Sequence, residues 1–339
     1  MRALAALLLA AASVGALLSL RALDAPAAGG ARSPTGPALV FVDARHGWAA
    51  GAGGILATRD GGRSWRHVAR QSMQALDAVD ATHAWAYGGS TLFATADGVR
   101  WHTVSHRELA ALDFVDLRHG FALDSRGRLL ATSDRGVSWH ATATPRGLEA
   151  LCATPRLLAL ARAGQVWVRR GRRFALALRV VRRGPAVPVL RCRASSVWLL
   201  LEEGAAAGSQ AYDVYRSLDG GRRWRRVLAG LAPTSGLPAI AAYSGPFSAA
   251  GVRAAAFVGS CAPCGDLVTV VATRDGGATW WRASPLRGQV PEAVSFPTPT
   301  RGWLLTATRR GLPGVWRTTD GGRSWRLLLR SRVLTVAPP

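Results

Sequence analysis

From residue 38 onward, apolar and polar positions alternate in short runs, broken every few residues by Gly-rich turns. Period-two alternation with β-branched and aromatic residues predicts strands rather than helices. The first unit reads as four strands, near Ala38–Val42, Gly47–Ala50, Gly54–Thr58 and Ser64–Val68. No stretch beyond residue 33 keeps a long helical period.

This unit recurs. Six segments share Ser/Thr, a residue, Asp, then Gly and Trp, with Asp60, Asp97, Asp134, Asp219, Asp275 and Asp320 followed by Trp65, Trp101, Trp139, Trp224, Trp280 and Trp325. A second piece, Phe41-Val42-Asp43-Ala44-Arg45-His46-Gly47-Trp48, recurs at Val79 to Trp85, Phe114 to Phe121 and Phe296 to Trp303. Asp60, Asp97 and Asp134 are spaced 37 apart, whereas 85 residues separate Asp134 from Asp219. That gap predicts a hidden copy. Leu151 to Val168 align at an offset of 37, with Gly171 in place of Asp and Leu176 in place of Trp. Seven four-stranded units predict an all-β fold, a seven-bladed β-propeller of four-stranded antiparallel blades over 38–337.

The motif has a local logic. Its Asp can accept from backbone N–H groups of its own turn, Gly supplies positive φ, and Trp can bury apolar area at the start of the next strand. Each turn offers one carboxylate, too few for a calcium loop. The six Asp and six Trp residues are therefore structural. The motif resembles the Asp-box, or bacterial neuraminidase repeat. The paired pieces resemble in particular the photosystem II stability/assembly factor family and its relatives in non-photosynthetic bacteria, over roughly residues 38 to 330. That resemblance implies an exported seven-bladed propeller that binds a membrane-protein assembly intermediate. The chain departs from it in the degenerate fourth unit, the shortened second box and the long fifth and sixth units.

Residues Ala3 to Leu20 are small and apolar, after Arg2 and before Arg21, and Asp24-Ala25-Pro26-Ala27-Ala28 follows. Residues 1–28 thus read as a signal peptide cleaved near Ala27 or Ala28, or as an uncleaved membrane anchor, and 29–37 as a linker. Both readings place the propeller outside the cytoplasm.

Composition changes the picture in one respect. Of 339 residues, 43 are basic and 20 acidic, for a net charge of +23, and no Lys or Asn occurs. Every basic residue is Arg, as a GC-rich genome produces, so part of the charge is background. Arg on both predicted faces still suits a protein or membrane-complex partner, acidic in character. The candidate binding residues are Arg45 and Arg118 on the face of the Asp turns, and Arg182, Arg183, Arg309 and Arg310 on the opposite face. Export and the lack of interleaved exposed aromatics argue against nucleic acid. A monomer is expected.

The competing reading is a glycoside hydrolase of the exo-α-sialidase type. Such an enzyme resembles this chain in its boxes, but its Arg-Ile-Pro type motif is missing. Tyr and Glu are scarce, and Tyr87 or Tyr243 with Glu108 is a pair that no spacing supports. No catalytic residue, metal or cofactor is expected. His46, His83 and His119 recur at equivalent turns as polar turn residues. Cys261-Ala262-Pro263-Cys264 lacks the second pair of a zinc site and sits in a predicted hairpin turn, which favours a local disulfide. Cys152 and Cys192 are either a second disulfide or two small buried side chains.

Overall fold

A computed structural model describes residues 37–181, 184–206, 208–230, 236–308 and 311–335. The signal or anchor segment 1–28 and nearly all of the linker lie outside them. Each repeated unit forms one four-stranded antiparallel meander, and seven such sheets follow one another along the chain. The blades span 38–69, 75–106, 111–141, 150–179, 187–230, 247–286 and 290–330. The fourth, which lacks both motif residues, is nonetheless complete. Its third strand pairs with its fourth through Val166 and Leu178, and through Val168 and Ala175.

The first strand of every blade is innermost. Ala38–Phe41, Ala75–Ala78, Ala111–Phe114, Ala150–Thr154, Val187–Arg193, Phe247–Ala249 and Val290–Ser295 each neighbour the next around a closed ring. Radial packing explains the burial gradient. Second strands such as Gly47–Gly51 are wholly buried, whereas fourth strands such as Arg66–Ala69 face solvent. Apolar side chains from adjacent blades interdigitate between the sheets, so each seam is a hydrophobic layer. In six blades a register shift between the third and fourth strands twists the outer edge, as at Ile55/Leu56 and Val315/Trp316. Irregular, twisted edges of this kind resist pairing with other chains.

Hydrogen bonds across the hub tie neighbouring inner strands. Phe114 N donates to Asp77 Oδ2 at 2.6 Å, and Ala153 N donates to Asp113 Oδ2 at 2.8 Å. Phe296 N donates to Ser248 Oγ at 3.0 Å, and Phe41 N to Ser295 Oγ at 2.9 Å. The last of these joins the seventh blade to the first. The ring is also held there by a short 3-10 turn, Arg332–Leu334, folded back on the first blade. Ala52 N and Gly53 N donate to the carbonyls of Thr335 (2.9 Å) and Val333 (3.0 Å). A Cβ at Gly51 or Gly53 would come within 2.7 Å of this turn, so glycine is what admits it.

Two disulfides are present. Cys152–Cys192 joins the inner strands of the fourth and fifth blades, with Cα atoms 5.5 Å apart, which resolves the alternative left open by the sequence. Cys261–Cys264 closes the turn between strands Ala255–Cys261 and Leu267–Thr273.

Candidate partner-binding surface

In all six Asp turns the Ser/Thr hydroxyl donates to the Asp carboxylate. At the first, Thr58 Oγ1 donates to Asp60 Oδ1 (2.9 Å) and accepts from Gly62 N (2.8 Å). Ser64 donates its backbone N–H to Asp60 Oδ1 (2.9 Å) and its hydroxyl to Oδ2 (2.6 Å). Trp65 Nε1 then donates to the Gly62 carbonyl (3.0 Å). Gly61 and Gly62 both take positive φ, 75° and 87°, a region that costs L side chains strain. Partial burial works against ionising Asp60, but the Ser64 and Thr58 donors outweigh it and lower its pKa to about 2. Asp134 and Asp320 are likewise lowered to about 2, and Asp97, Asp219 and Asp275 are lowered further. These carboxylates are anions engaged in their own turns.

Of the six tryptophans in these turns, only Trp139 is fully buried. The others open the outermost strand of a blade and are partly buried, packed against the core clusters. The deep burial expected of them falls instead to Trp48, Trp85, Trp198 and Trp303 on the second strands.

The first turn of a blade lies beside its Asp turn. Gly61 N donates to the Arg45 carbonyl (2.8 Å), and Arg135 N to the Arg118 carbonyl (3.0 Å). In this first turn Asp43 Oδ1 accepts from Arg45 N (2.6 Å) and His46 N (2.7 Å), with His46 Nδ1 2.9 Å from Oδ2. Asp80 with His83, and Asp116 with His119, repeat the arrangement. The carboxylates of this face are thus turned onto their own loops. The guanidinium groups of Arg45, Arg118 and Arg156 are exposed and have no hydrogen-bond or ion-pair partner among the described residues. Arg45 and Arg118 lie in equivalent first turns, two blades apart.

Arg182, Arg183, Arg309 and Arg310, expected from the sequence on the opposite face, lie outside the described residues. Several of the others there are committed. Arg128 Nε pairs with Asp124 at 2.6 Å, and Arg162 and Arg107 donate to the carbonyls of Arg146 and Trp139. A cavity of about 200 Å³ opens between Pro37, Glu292, Thr308, Leu334 and Thr335, and burial raises the pKa of the Glu292 carboxyl. Of the tyrosines considered for hydrolysis, one is committed through its side chain. Tyr87 is buried, its hydroxyl accepting from Leu109 N at 3.0 Å. Tyr243 sits in a backbone bridge to Ser260.

Two groups escaped the sequence. The first is in the hub, where Asp77, Asp113 and Arg191 occupy one equivalent position, opposite Trp85, Phe121 and Trp198 on the neighbouring strand. Asp77 and Asp113 are partly buried there, and Arg191 is exposed. Burial raises the pKa of Asp77 to about 6 and also raises that of Asp113, each favouring the neutral acid, with the charge of Asp77 adding to the effect on Asp113. Arg191 donates to the Leu190 carbonyl and lies 5.6 Å from the Phe247 ring centre.

The second is at the blade seams. Arg216 and Arg317 each precede the Ser/Thr of an Asp turn and reach toward the next blade, where they pass close to Gly276 and Gly61. Burial lowers the pKa of both, and neighbouring arginines lower it more. Nε of each is buried without a hydrogen-bond partner.

No family model matches the chain, and no curated protein matches it in sequence. Solved structures do. YCF48 bound to a D1 peptide is 15% identical, aligned over 86% of this chain and 94% of that one, with a TM-score of 0.57. YCF48 from Cyanidioschyzon merolae is 14% identical, over 86% and 96%, also at 0.57. The Cps50 (Swd1) β-propeller domain from Myceliophteria thermophila is 10% identical, over 83% and 96%, at 0.56. At such identities the likeness is one of fold.

Proposed function

We propose that this protein is an exported, non-enzymatic propeller that binds an acidic protein or membrane-protein partner through the face of its Asp turns. One observation carries the reading. On that face the carboxylates are hydrogen-bonded into their own turns, while Arg45, Arg118 and Arg156 present unpaired guanidinium groups. Arg forks carboxylates and phosphates bidentately, and such a face attracts acidic surfaces. The engaged carboxylates and the built-in Tyr87 also favour binding over hydrolysis. Two disulfides suit an oxidising compartment, and the apolar run Ala3 to Leu20 suits export. Among the described residues no helix is long and apolar enough to cross a membrane. The fold shared with YCF48, one of whose structures holds a D1 peptide, supports a scaffold of the assembly-factor kind.

The test is capture of envelope proteins by the wild type and by charge-reversed variants over a salt series. Arg45→Glu with Arg118→Glu should abolish retention of a specific partner, and retention by the wild type should weaken with salt. Arg182→Glu with Arg183→Glu, or Arg309→Glu with Arg310→Glu, should leave it intact. Loss only with the latter pairs moves the site to the opposite face. Turnover of a sialoside or other glycan by the purified protein refutes the binding reading.

A further inference from the structure

The seam between the seventh and first blades gathers four arginines whose guanidinium groups pair with no carboxylate among the described residues, since Asp60 and Asp320 are engaged in their own turns. Arg317 lies directly across from Trp303 on one neighbouring strand and from Arg326 on the other. Its guanidinium sits 5.6 Å from the Trp303 ring centre, and Nη1 would be 3.5 Å from a Cβ at Gly61. Arg301 lies in the turn before Gly302–Ala307, and Arg63 lies two residues beyond Gly61. The charges acting on Arg317 are those of Arg63, Arg301 and Arg326, all basic. None of the four guanidinium groups makes a hydrogen bond or ion pair among the described residues, and Arg317 Nε is shut off from water as well.

Like charges directly opposed across a sheet destabilise it, and a buried donor without an acceptor costs more. Other seams show how the fold ordinarily answers this. Arg59 Nη2 donates to the Asp97 carbonyl of the next blade (2.7 Å), and Arg170 Nη2 to the Gly220 carbonyl (2.6 Å). At the seam between the fifth and sixth blades, the charges on Arg216 include Asp219 and Asp275 beside Arg225 and Arg253. In four other blades the position of Arg317 is Ala57, Ala94, Ala131 or Ala272. The seventh blade has an arginine there with three more around it and no acceptor.

We propose that this seam is a site for a tetrahedral oxyanion of the phosphate class, seated on Arg317 and enclosed by Arg63, Arg301 and Arg326. A lone carboxylate balances one of four charges. A phosphate dianion balances two and offers oxygens in several directions, which lets more than one guanidinium fork onto it. Trp303 holds the Arg317 fork from beneath, and the missing Cβ of Gly61 leaves room beside it. The site adjoins Arg45, whose carbonyl accepts from Gly61 N, but it is read by phosphate binding at Arg317 and not by partner capture, so either proposal can fail without the other.

The experiment titrates inorganic phosphate into the full chain at pH 7.5 and constant ionic strength, read by calorimetry and by thermal midpoint. A second arm uses glycerol 3-phosphate. Saturable binding of either near one per chain, weakened at least tenfold by Arg317→Gln, supports the site. Arg63→Gln and Arg301→Gln replace exposed side chains that do not support the core. Each should weaken binding severalfold, which keeps the test valid should Arg317→Gln fold poorly. Arg216→Gln should leave the affinity unchanged. An unsaturable response equal to that of acetate, or equal affinity in wild type, Arg317→Gln and Arg301→Gln, overturns the proposal.

Discussion

The indole Nε1 of Trp303 donates to the carbonyl of Gly61 at 3.0 Å, across 242 positions of chain. The same bond joins Trp48 to Gly98 (3.1 Å) and Trp85 to Arg135 (3.0 Å). In these three blades a second-strand Trp holds the Asp turn of the following blade, which couples the two repeated sequence pieces, whereas Trp198 Nε1 has no partner among the described residues. The Gly before that Trp has its own role. A Cβ at Gly47 would come within 2.5 Å of the Phe41 ring, so only Gly lets the ring lie over the strand. Phe41 then stacks on Trp303 at 3.7 Å between ring centres, nearly parallel.

Trp303→Ala should cost about 3–5 kcal/mol, as deletion of a wholly buried large aromatic does. Trp65→Ala should cost less, roughly half as much, because Trp65 is only partly buried and meets Phe41 edge-on, at 6.0 Å. Denaturant midpoints of the two variants decide the order. Equal losses would contradict the placement of the closing contact at Trp303.

Acid should unfold the protein through its Asp turns. Asp60, Asp134 and Asp320 have native pKa values near 2, below those of an unfolded chain. The unfolded state therefore binds more protons in this range, and stability present above about pH 4 is lost as pH falls toward 2. Asp134→Asn should flatten that part of the stability curve. An unchanged slope would mean that the turn gains nothing from the ionised carboxylate.

The hub acids should act in the opposite sense. A native pKa raised to about 6 at Asp77 means that the folded state holds the extra proton, so its contribution falls as pH rises from about 4 to 6. Asp77→Asn keeps an oxygen to accept from Phe114 N and removes a negative charge beside Asp113. It should raise the thermal midpoint at pH 8, by an increment on the order of 1 kcal/mol. Asp77→Ala should lower it. A drop with Asn as large as with Ala would show that the charge itself holds the blades together.

The two disulfides should differ in weight. Cys152 and Cys192 are separated by 40 positions, and Cys261 and Cys264 by 3. Loop-closure entropy alone assigns roughly 4 kcal/mol to the longer link and under 2 kcal/mol to the shorter. Replacing the first pair by Ala should therefore lower the denaturant midpoint more. Peptide mapping without reductant checks both pairings.

The ring was legible because the Asp turn is a local device. Its carboxylate, hydroxyl and glycines act within five residues, so the pattern survives in sequence, and the spacing of 37 exposes even the unmarked fourth blade. The hub trio was not legible in that way. Asp77, Asp113 and Arg191 look like ordinary strand residues until closure points one position of each inner strand at a common axis. Arg317 was hidden among 43 basic residues. Aligning the residue before each motif Ser/Thr would have isolated it, since four of the six copies have Ala there. The tryptophans of the turns were placed too deep, because sequence shows where a strand starts but not that it is the outer one.

Among the described residues each blade is a contiguous stretch, and no strand from one end joins a sheet begun at the other. Pro37 and Thr335 border the same cavity. The order of blades along the polypeptide is therefore incidental to the ring. A short Gly-Ser bridge between these two residues, with new ends cut in the connection between the third and fourth blades, should give a circular permutant with every sheet intact.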